Sequence, residues 1–109
     1  MATFEDFQKI DIRVGRIIEV LDFEEARNPS YKIKIDFGKL GVKVSSAQIT
    51  KLYSKGGLLN RQIVAVVNFP PKRIAGFESE VLILGVMKED GEVILLQPDR
   101  EAPLGYKIG

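Results

Sequence analysis

Lys72 and Arg73 stand side by side behind Pro70-Pro71, between two short apolar runs rich in β-branched residues, Ile63–Val67 and Val81–Leu84. Neither proline can donate to a sheet ladder, so the first run ends by Phe69 and the connection must cross the surface. Two adjacent cations on a stiffened surface connection make a plausible binding element, suited to an anion. More cations recur upstream: Lys32 and Lys34 two residues apart, then Lys43 and Lys51. Such side chains hold phosphates by charge and hydrogen bonding and need no reactive group beside them. The residues that catalysis most often uses are missing. The 109-residue chain has no histidine and no cysteine. That removes the commonest general base, the thiol nucleophile, the thiolate metal site and any disulfide. Glu24-Glu25 and Glu89-Asp90 are adjacent acids, but both lie in turn-like segments without a nucleophile motif and read as solvated carboxylates. The chain reads as non-catalytic, with no catalytic residue, no metal and no cofactor.

Composition places these residues in one domain. Hydrophobic residues make up 45% and charged residues 28%, an ordinary globular balance in a length that supports a single modest core. No apolar run approaches the ~20 residues needed to span a bilayer. The start, MATFEDFQKI, has acids where a signal peptide needs basic residues, so a cytoplasmic protein without membrane insertion is expected. The net charge of +1 hides an asymmetry. Residues 1–30 carry −3, residues 31–73 carry +8 with nine basic residues and one acid, and residues 74–109 carry −4. A basic face that attracts polyanions is expected from the middle segment.

The elements that must position these cations follow from periodicity. Thr3 and Asp6 form a capping-box pattern over a short helix or arm within residues 1–9, where Phe4 and Phe7 share a face. Residues 10–21 alternate as a first strand whose phase breaks at Gly15-Arg16, predicting a bulge or a sharp bend there. Asn28-Pro29-Ser30 is a turn. Tyr31, Ile33, Ile35 and Phe37 alternate with Lys32, Lys34 and Asp36 in a half-buried second strand. A turn at Gly38–Gly41 returns the chain as a third strand, Val42–Gln48. Hairpin pairing of these two strands is expected to put Lys32, Lys34 and Lys43 on one outer face. Residues 46–56 fit a helix capped by Ser46 and ended by Gly56-Gly57. Strands follow at Gln62–Phe69, Glu80–Met87 and Val93–Leu96, the last two joined by an Asp-Gly turn. The barrel occupies residues 10–96, and residues 97–109 form an apolar extension that packs down.

Three strands, a helix and two more strands, with a bent first strand, match the all-β OB-fold, a five-stranded Greek-key barrel. That fold binds oligonucleotides on strands 2 and 3 and on the loops joining strands 1–2 and 4–5. The lysine-bearing strands and the Lys72-Arg73 loop fall on that surface, an argument at the level of the fold.

Five pieces of sequence carry a further resemblance: DIRVGRI (11–17), KIDFG (34–38), SSAQI (45–49), VNFPPKRIAGFESEVLILG (67–85) and LLQPD (95–99). Together they resemble the tRNA-binding-domain family over nearly the whole chain, and within it the chaperone-like CsaA-type branch. The combination of SSAQI with NFPPKRIAG-x-x-SE is the specific part. The resemblance implies an OB-fold homodimer in the cytoplasm that binds tRNA without sequence specificity. For the CsaA-type branch it also implies binding of unfolded or precursor polypeptides in protein export. In synthetase-appended members the Ser-Glu pair is commonly followed by Gly-Met. Here Val81-Leu82 follow Ser79-Glu80, which leans the chain toward the CsaA-type branch.

For tRNA, the candidate phosphate contacts are Lys32, Lys34, Lys43, Lys51, Lys72 and Arg73, recognising shape and 2′-hydroxyls instead of base edges. Tyr53 sits at helical spacing from Ile49 and reads as core before it reads as a stacking platform. Ser46 and Gln48 are either polar contacts or a helix cap and a strand-edge residue. Ser79 and Glu80 are read as loop support, because a glutamate among phosphates repels them. For a polypeptide client the candidates are Phe4, Phe7, Phe69, Ile74 and Phe77. The N-terminal arm and residues 104–109 either pair two subunits or seal the barrel's own ends.

Overall fold

In the computed structural model, which describes all 109 residues, the chain runs through α1 (Phe4–Gln8), β1 (Ile12–Asp22), β2 (Tyr31–Asp36) and β3 (Val42–Ala47). It continues through α2 (Lys55–Leu58), β4 (Gln62–Val66), β5 (Lys72–Ile74) and β6 (Phe77–Ser79). The last strands are β7 (Leu82–Ile83), β8 (Gly85–Met87) and β9 (Val93–Leu95). An antiparallel sheet in the order β3-β2-β1-β4-β7 curls into a nearly closed five-stranded barrel, the OB-fold expected from the element order. Two ribbons, β5-β6 and β8-β9, stand on it.

β1 serves both halves of the barrel. Residues 12–16 pair with β4 and residues 16–22 pair with β2. The bend comes from a register shift between Ile17 and Glu19, not at Gly15-Arg16 as the phase of the sequence suggested. Gly15 has a different purpose. A Cβ there would lie 2.5 Å from Ile35 Cγ2 and 2.7 Å from the Phe37 ring, so only glycine lets the strand pass this close to the core.

The alternation of β2 is kept in full: Tyr31, Ile33, Ile35 and Phe37 are buried, and Lys32, Lys34 and Asp36 are not. They join Ile17, Ile49, Leu58, Ile63, Ala65, Val81 and Leu95 in one core cluster. Each buried Ile, Leu, Val or Phe among them contributes about 1.5–3 kcal/mol by leaving water. β4 is buried along its whole length, flanked by β1 and β7.

Residues 46–56 are not one helix. β3 runs on to Ala47, and α2 is a single turn capped by Ser54, whose Oγ accepts from Gly57 N–H at 3.0 Å. Ser46 is therefore a strand residue, and Gly56-Gly57 lie inside the helical turn instead of ending it. Pairing with β2 overrides the i,i+3 pattern, because Tyr31↔Ala47 and Lys32↔Ser46 extend the ladder past the expected cap. Ile49 still reaches the core, and Tyr53 packs against it, its hydroxyl accepting from Leu95 N–H at 3.0 Å. The expected strand at Glu80–Met87 is likewise divided. Leu84 N–H donates to Val64 and Leu84 C=O accepts from Leu96, so the chain passes there from the barrel into the β8-β9 ribbon.

The two ends behave differently. The tail runs along residues 12–14 of β1: Val14 N–H donates to Tyr106, Gly105 N–H to Val14 and Ile108 N–H to Ile12. It covers the part of that strand's edge that β2 leaves free. α1 has the full capping box between Thr3 and Asp6 but no buried residue; Phe4 is 71% exposed and Phe7 39%. No helix is long and apolar enough to cross a membrane.

Candidate functional site

The 4–5 connection is a structured ribbon, not an irregular loop. β5 and β6 pair as Lys72↔Ser79, Arg73↔Glu78 and Ile74↔Phe77 around Ala75 (φ 46°) and Gly76 (φ 83°). Two successive left-handed residues make the tight hairpin turn whose twist suits two strands. Neighbours in a strand point to opposite faces. The two cations, adjacent in sequence, therefore diverge. Lys72 looks into a cleft with Ile74. Arg73 lies on the other face, 3.1 Å from Glu78, with a guanidinium N–H directed at Gly76 O.

The base of the ribbon is fastened to β3. Glu80 N–H donates to Val44 O at 2.8 Å, and Glu80 Oε1 accepts from Val44 N–H at 3.0 Å. Ser79 Oγ accepts from Ser46 N–H at 3.0 Å. Two side chains here replace ladder bonds between strands that do not otherwise pair. Phe77, at the tip, meets Phe23 edge-on at 5.5 Å, and Lys32 Nζ lies over both rings at 4.8 and 5.3 Å. The Lys32 ammonium is thus held by aromatic faces.

Beside this ribbon a cleft of about 820 Å³ opens. Its walls come from four separated segments: the 1–2 loop around Arg27 and Asn28, residues 46–49 at and just past the end of β3, residues 69–79 leading into and through the ribbon, and residues 80–95. Half of the lining residues are hydrophobic. Of the expected site residues the fold brings Ser46, Gln48, Phe69, Lys72, Ile74, Ser79 and Glu80 to this cleft. Lys32, Lys34, Lys43, Lys51, Arg73, Phe4, Phe7 and Phe77 are not among its walls.

Lys43 corrects an expectation. The register sets Lys43 opposite Ile35, whereas Val44 faces Lys34 and Ser46 faces Lys32. Directly paired residues share a face, so Lys43 is on the barrel side and not with Lys32 and Lys34. The basic face is also weaker than segment counting implied, because the fold brings acids from outside the segment against it. Lys34 is 3.6 Å from Glu19, Lys55 2.8 Å from Asp22, and Arg73 is paired with Glu78. The Asp22 carboxylate holds the Lys55 ammonium above its ordinary pKa through a hydrogen bond and its charge. Lys51 reaches Asp90 O at 2.5 Å. Exposed pairs of this kind are weak and are readily exchanged for a phosphate contact.

Sequence reasoning missed Arg27, Lys88 and the aliphatic wall at Leu82 and Leu84. The 1–2 loop carried a signal, since OB-folds bind with it. Lys88 carried none, because only the bend at Leu84 swings the β8-β9 ribbon over the cleft. No group of histidine, cysteine or acidic side chains is placed to hold a metal ion.

A nearly closed OB barrel with a cleft between its 1–2 and 4–5 connections is the architecture of a binding domain. Residues 12–107 match the model of the tRNA binding domain, and the chain belongs to the tRNA-binding-domain family. Over all of this chain it is similar to the crystal structures of two CsaA chaperones. That from Bacillus anthracis is 58% identical with a TM-score of 0.96, and covers 99% of that chain. That from Picrophilus torridus is 60% identical with a TM-score of 0.92, and covers all of that chain. It is also 44% identical over 106 residues to the methionine–tRNA ligase of Thermococcus onnurineus. That match takes 96% of this chain and 14% of the ligase, so the chain spans a small part of the ligases it resembles.

Proposed function

We propose that the protein is a non-catalytic tRNA-binding protein that reads backbone and shape without base-sequence specificity. The observation that carries the reading is the exposed Lys72 at the mouth of the cleft, on a ribbon fastened to the barrel by Ser79 and Glu80. Arg27 and Lys88 line the same cleft, Lys88 paired with Glu92 at 2.7 Å. A preorganised set of cations meets phosphates with little ordering cost, and affinity then falls with salt as counterions are released. The test is a salt-titrated binding curve with unfractionated tRNA. Linear weakening on a logarithmic salt axis supports phosphate contact; a curve flat between low and physiological salt rejects it.

A second reading is favoured by the aliphatic floor of the cleft, which phosphates do not need. In it the protein binds unfolded or precursor polypeptides, in the manner of a chaperone acting in protein export in the cytoplasm. Suppression of aggregation of a denatured client, with tRNA as competitor, separates the two. Competition places both ligands in one cleft; independent binding requires two surfaces.

The active form we propose is a homodimer. The tail is engaged on its own β1, and the exposed apolar surface available for pairing includes Phe4 and Phe7 of α1 and one face of the β8-β9 ribbon. On that face Val86 and Ile94 stand opposite each other, 50% and 44% exposed. Light scattering across a concentration series tests it, with Ile94→Lys expected to shift the mass to that of one chain.

A further inference from the structure

The strand order β3-β2-β1-β4-β7 leaves β3 and β7 as the two edges of the barrel sheet. At one end of the gap, Ser79 and Glu80 occupy the outward amides of Ser46 and Val44. Past Ser46 the edge continues unfilled. β3 ends at Ala47, and Gln48, the residue after it, continues the alternation of Val44 and Ser46 one step beyond the ladder. Gln48 is exposed, lines the cleft, and makes none of the chain's hydrogen bonds, through backbone or side chain. On the opposite edge Leu82 pairs with Val66, and Leu84 N–H donates to Val64 O. Ile83 lies between them, so its N–H and C=O turn away from β4 toward the gap. The 820 Å³ cleft is therefore the unclosed seam of the barrel, with strand-edge backbone on both sides and an aliphatic floor.

We propose that this seam captures an extended polypeptide as an added strand, paired to Gln48 on one side and Ile83 on the other. The proposal rests on the polypeptide-binding reading above and states how that binding is made. Unpaired strand edges are templates for strand addition. Main-chain pairing is indifferent to sequence, while alternate side chains are read by the floor. Arg27 and Lys72 line the cleft without an ion pair in the chain, and Lys88 beside them is held by Glu92; the two unpaired cations favour a client whose apolar core has acidic flanks. A nucleic acid strand suits the seam less well. It offers no repeating amide and carbonyl row, and Phe69 is the one aromatic side chain in the walls, whereas single-strand sites stack successive bases on aromatics. Ser79 and Glu80 then act as a stop that fixes where the added strand begins.

The probe is a fluorescein-labelled peptide, Asp-Asp-Val-Thr-Val-Thr-Val-Asp-Asp, titrated with the intact protein. Each amide is replaced in turn by an ester, which removes one donor and keeps the shape. Esters at the central valine and at the threonine after it are expected to weaken binding about fivefold each, the loss of a main-chain hydrogen bond. Esters at the terminal aspartates are expected to change it by less than about twofold. The amide resonances of Gln48 and Ile83 should shift on adding peptide. Binding that is indifferent to the central esters overturns strand addition while leaving polypeptide binding in place. No peptide binding overturns both. Shifts of Gln48 and Ile83 caused by polyuridylate but not by peptide assign the seam to nucleic acid and overturn the proposal. Shifts caused by protein concentration alone assign it to a second copy and do the same.

Discussion

Val44 of β3 and Glu80, which lies outside any strand, exchange two hydrogen bonds: the Glu80 amide donates to the Val44 carbonyl, and the Val44 amide donates to the Glu80 carboxylate. A side chain thus completes the pairing that a second backbone amide would make. Glu80→Ala removes the acceptor and leaves a half-buried amide unpaired, which costs about 1–3 kcal/mol. Glu80→Gln keeps an oxygen in place and should cost less. Urea unfolding of the two variants beside the parent measures the difference.

Lys72 and Arg73 are adjacent in sequence but opposite in space, so their substitutions should not be equivalent. Lys72→Glu is expected to weaken tRNA binding and reduce the slope of log affinity against log salt by about one. Arg73→Glu should have a smaller effect on tRNA, and it also places a carboxylate beside Glu78. Circular dichroism should be unchanged in both. Equal losses of affinity would count against the division of the ribbon into two faces.

Gly15→Ala is expected to be disproportionately harmful for one methyl group. Its Cβ meets Ile35 and Phe37, both in the core, and overpacking of this kind costs about 1–3 kcal/mol. Gly56→Ala meets no atom within 4 Å and should be neutral or mildly stabilising. Thermal unfolding of the pair compares a packed glycine with an open one.

The cap of α1 is pH-sensitive in a definite direction. Asp6 accepts the Thr3 amide, which holds its carboxyl below its ordinary value of 3.8. A depressed acid stabilises the folded cap above the unfolded value, and that contribution is lost as pH falls through the lower folded one. The Thr3 amide resonance should therefore titrate with a midpoint below 3.8. In Asp6→Asn this transition should vanish. A midpoint at or above 3.8 would mean the cap does not form.

Much of the fold was legible because it depends on local rules. The alternation from Tyr31 to Phe37 has period two without a fault, and Thr3 with Asp6 is a self-contained cap. What failed depended on partners. Lys43 was put on the wrong face because its side is set by which β2 residue it opposes, and the turn at Gly38–Gly41 decides that. The helix read at 46–56 failed because Ile49 and Tyr53 have helical spacing by coincidence, and β2 claims Ser46 and Ala47 first. The bulge moved from Gly15 to Ile18 because a glycine signals either a bend or a close approach, and the sequence does not say which. The cleft was half visible. A surface connection carrying Lys72 and Arg73 was readable, but its pairing as a ribbon was not. Nor was the shape of the cleft, since four segments meet only after the chain bends at Leu84.

The tail along β1 has a kinetic consequence. Arg13 bonds Gly105 across a separation of 92 residues, and the neighbouring bonds of Val14 and Ile12 to residues 105–108 share that span. Closing so long a loop is entropically slow, and such contacts form late. Until they form, residues 12–14 present a bare strand edge in an otherwise assembling barrel, a site for pairing with another chain. The slowest step of folding should therefore also be the one most sensitive to protein concentration.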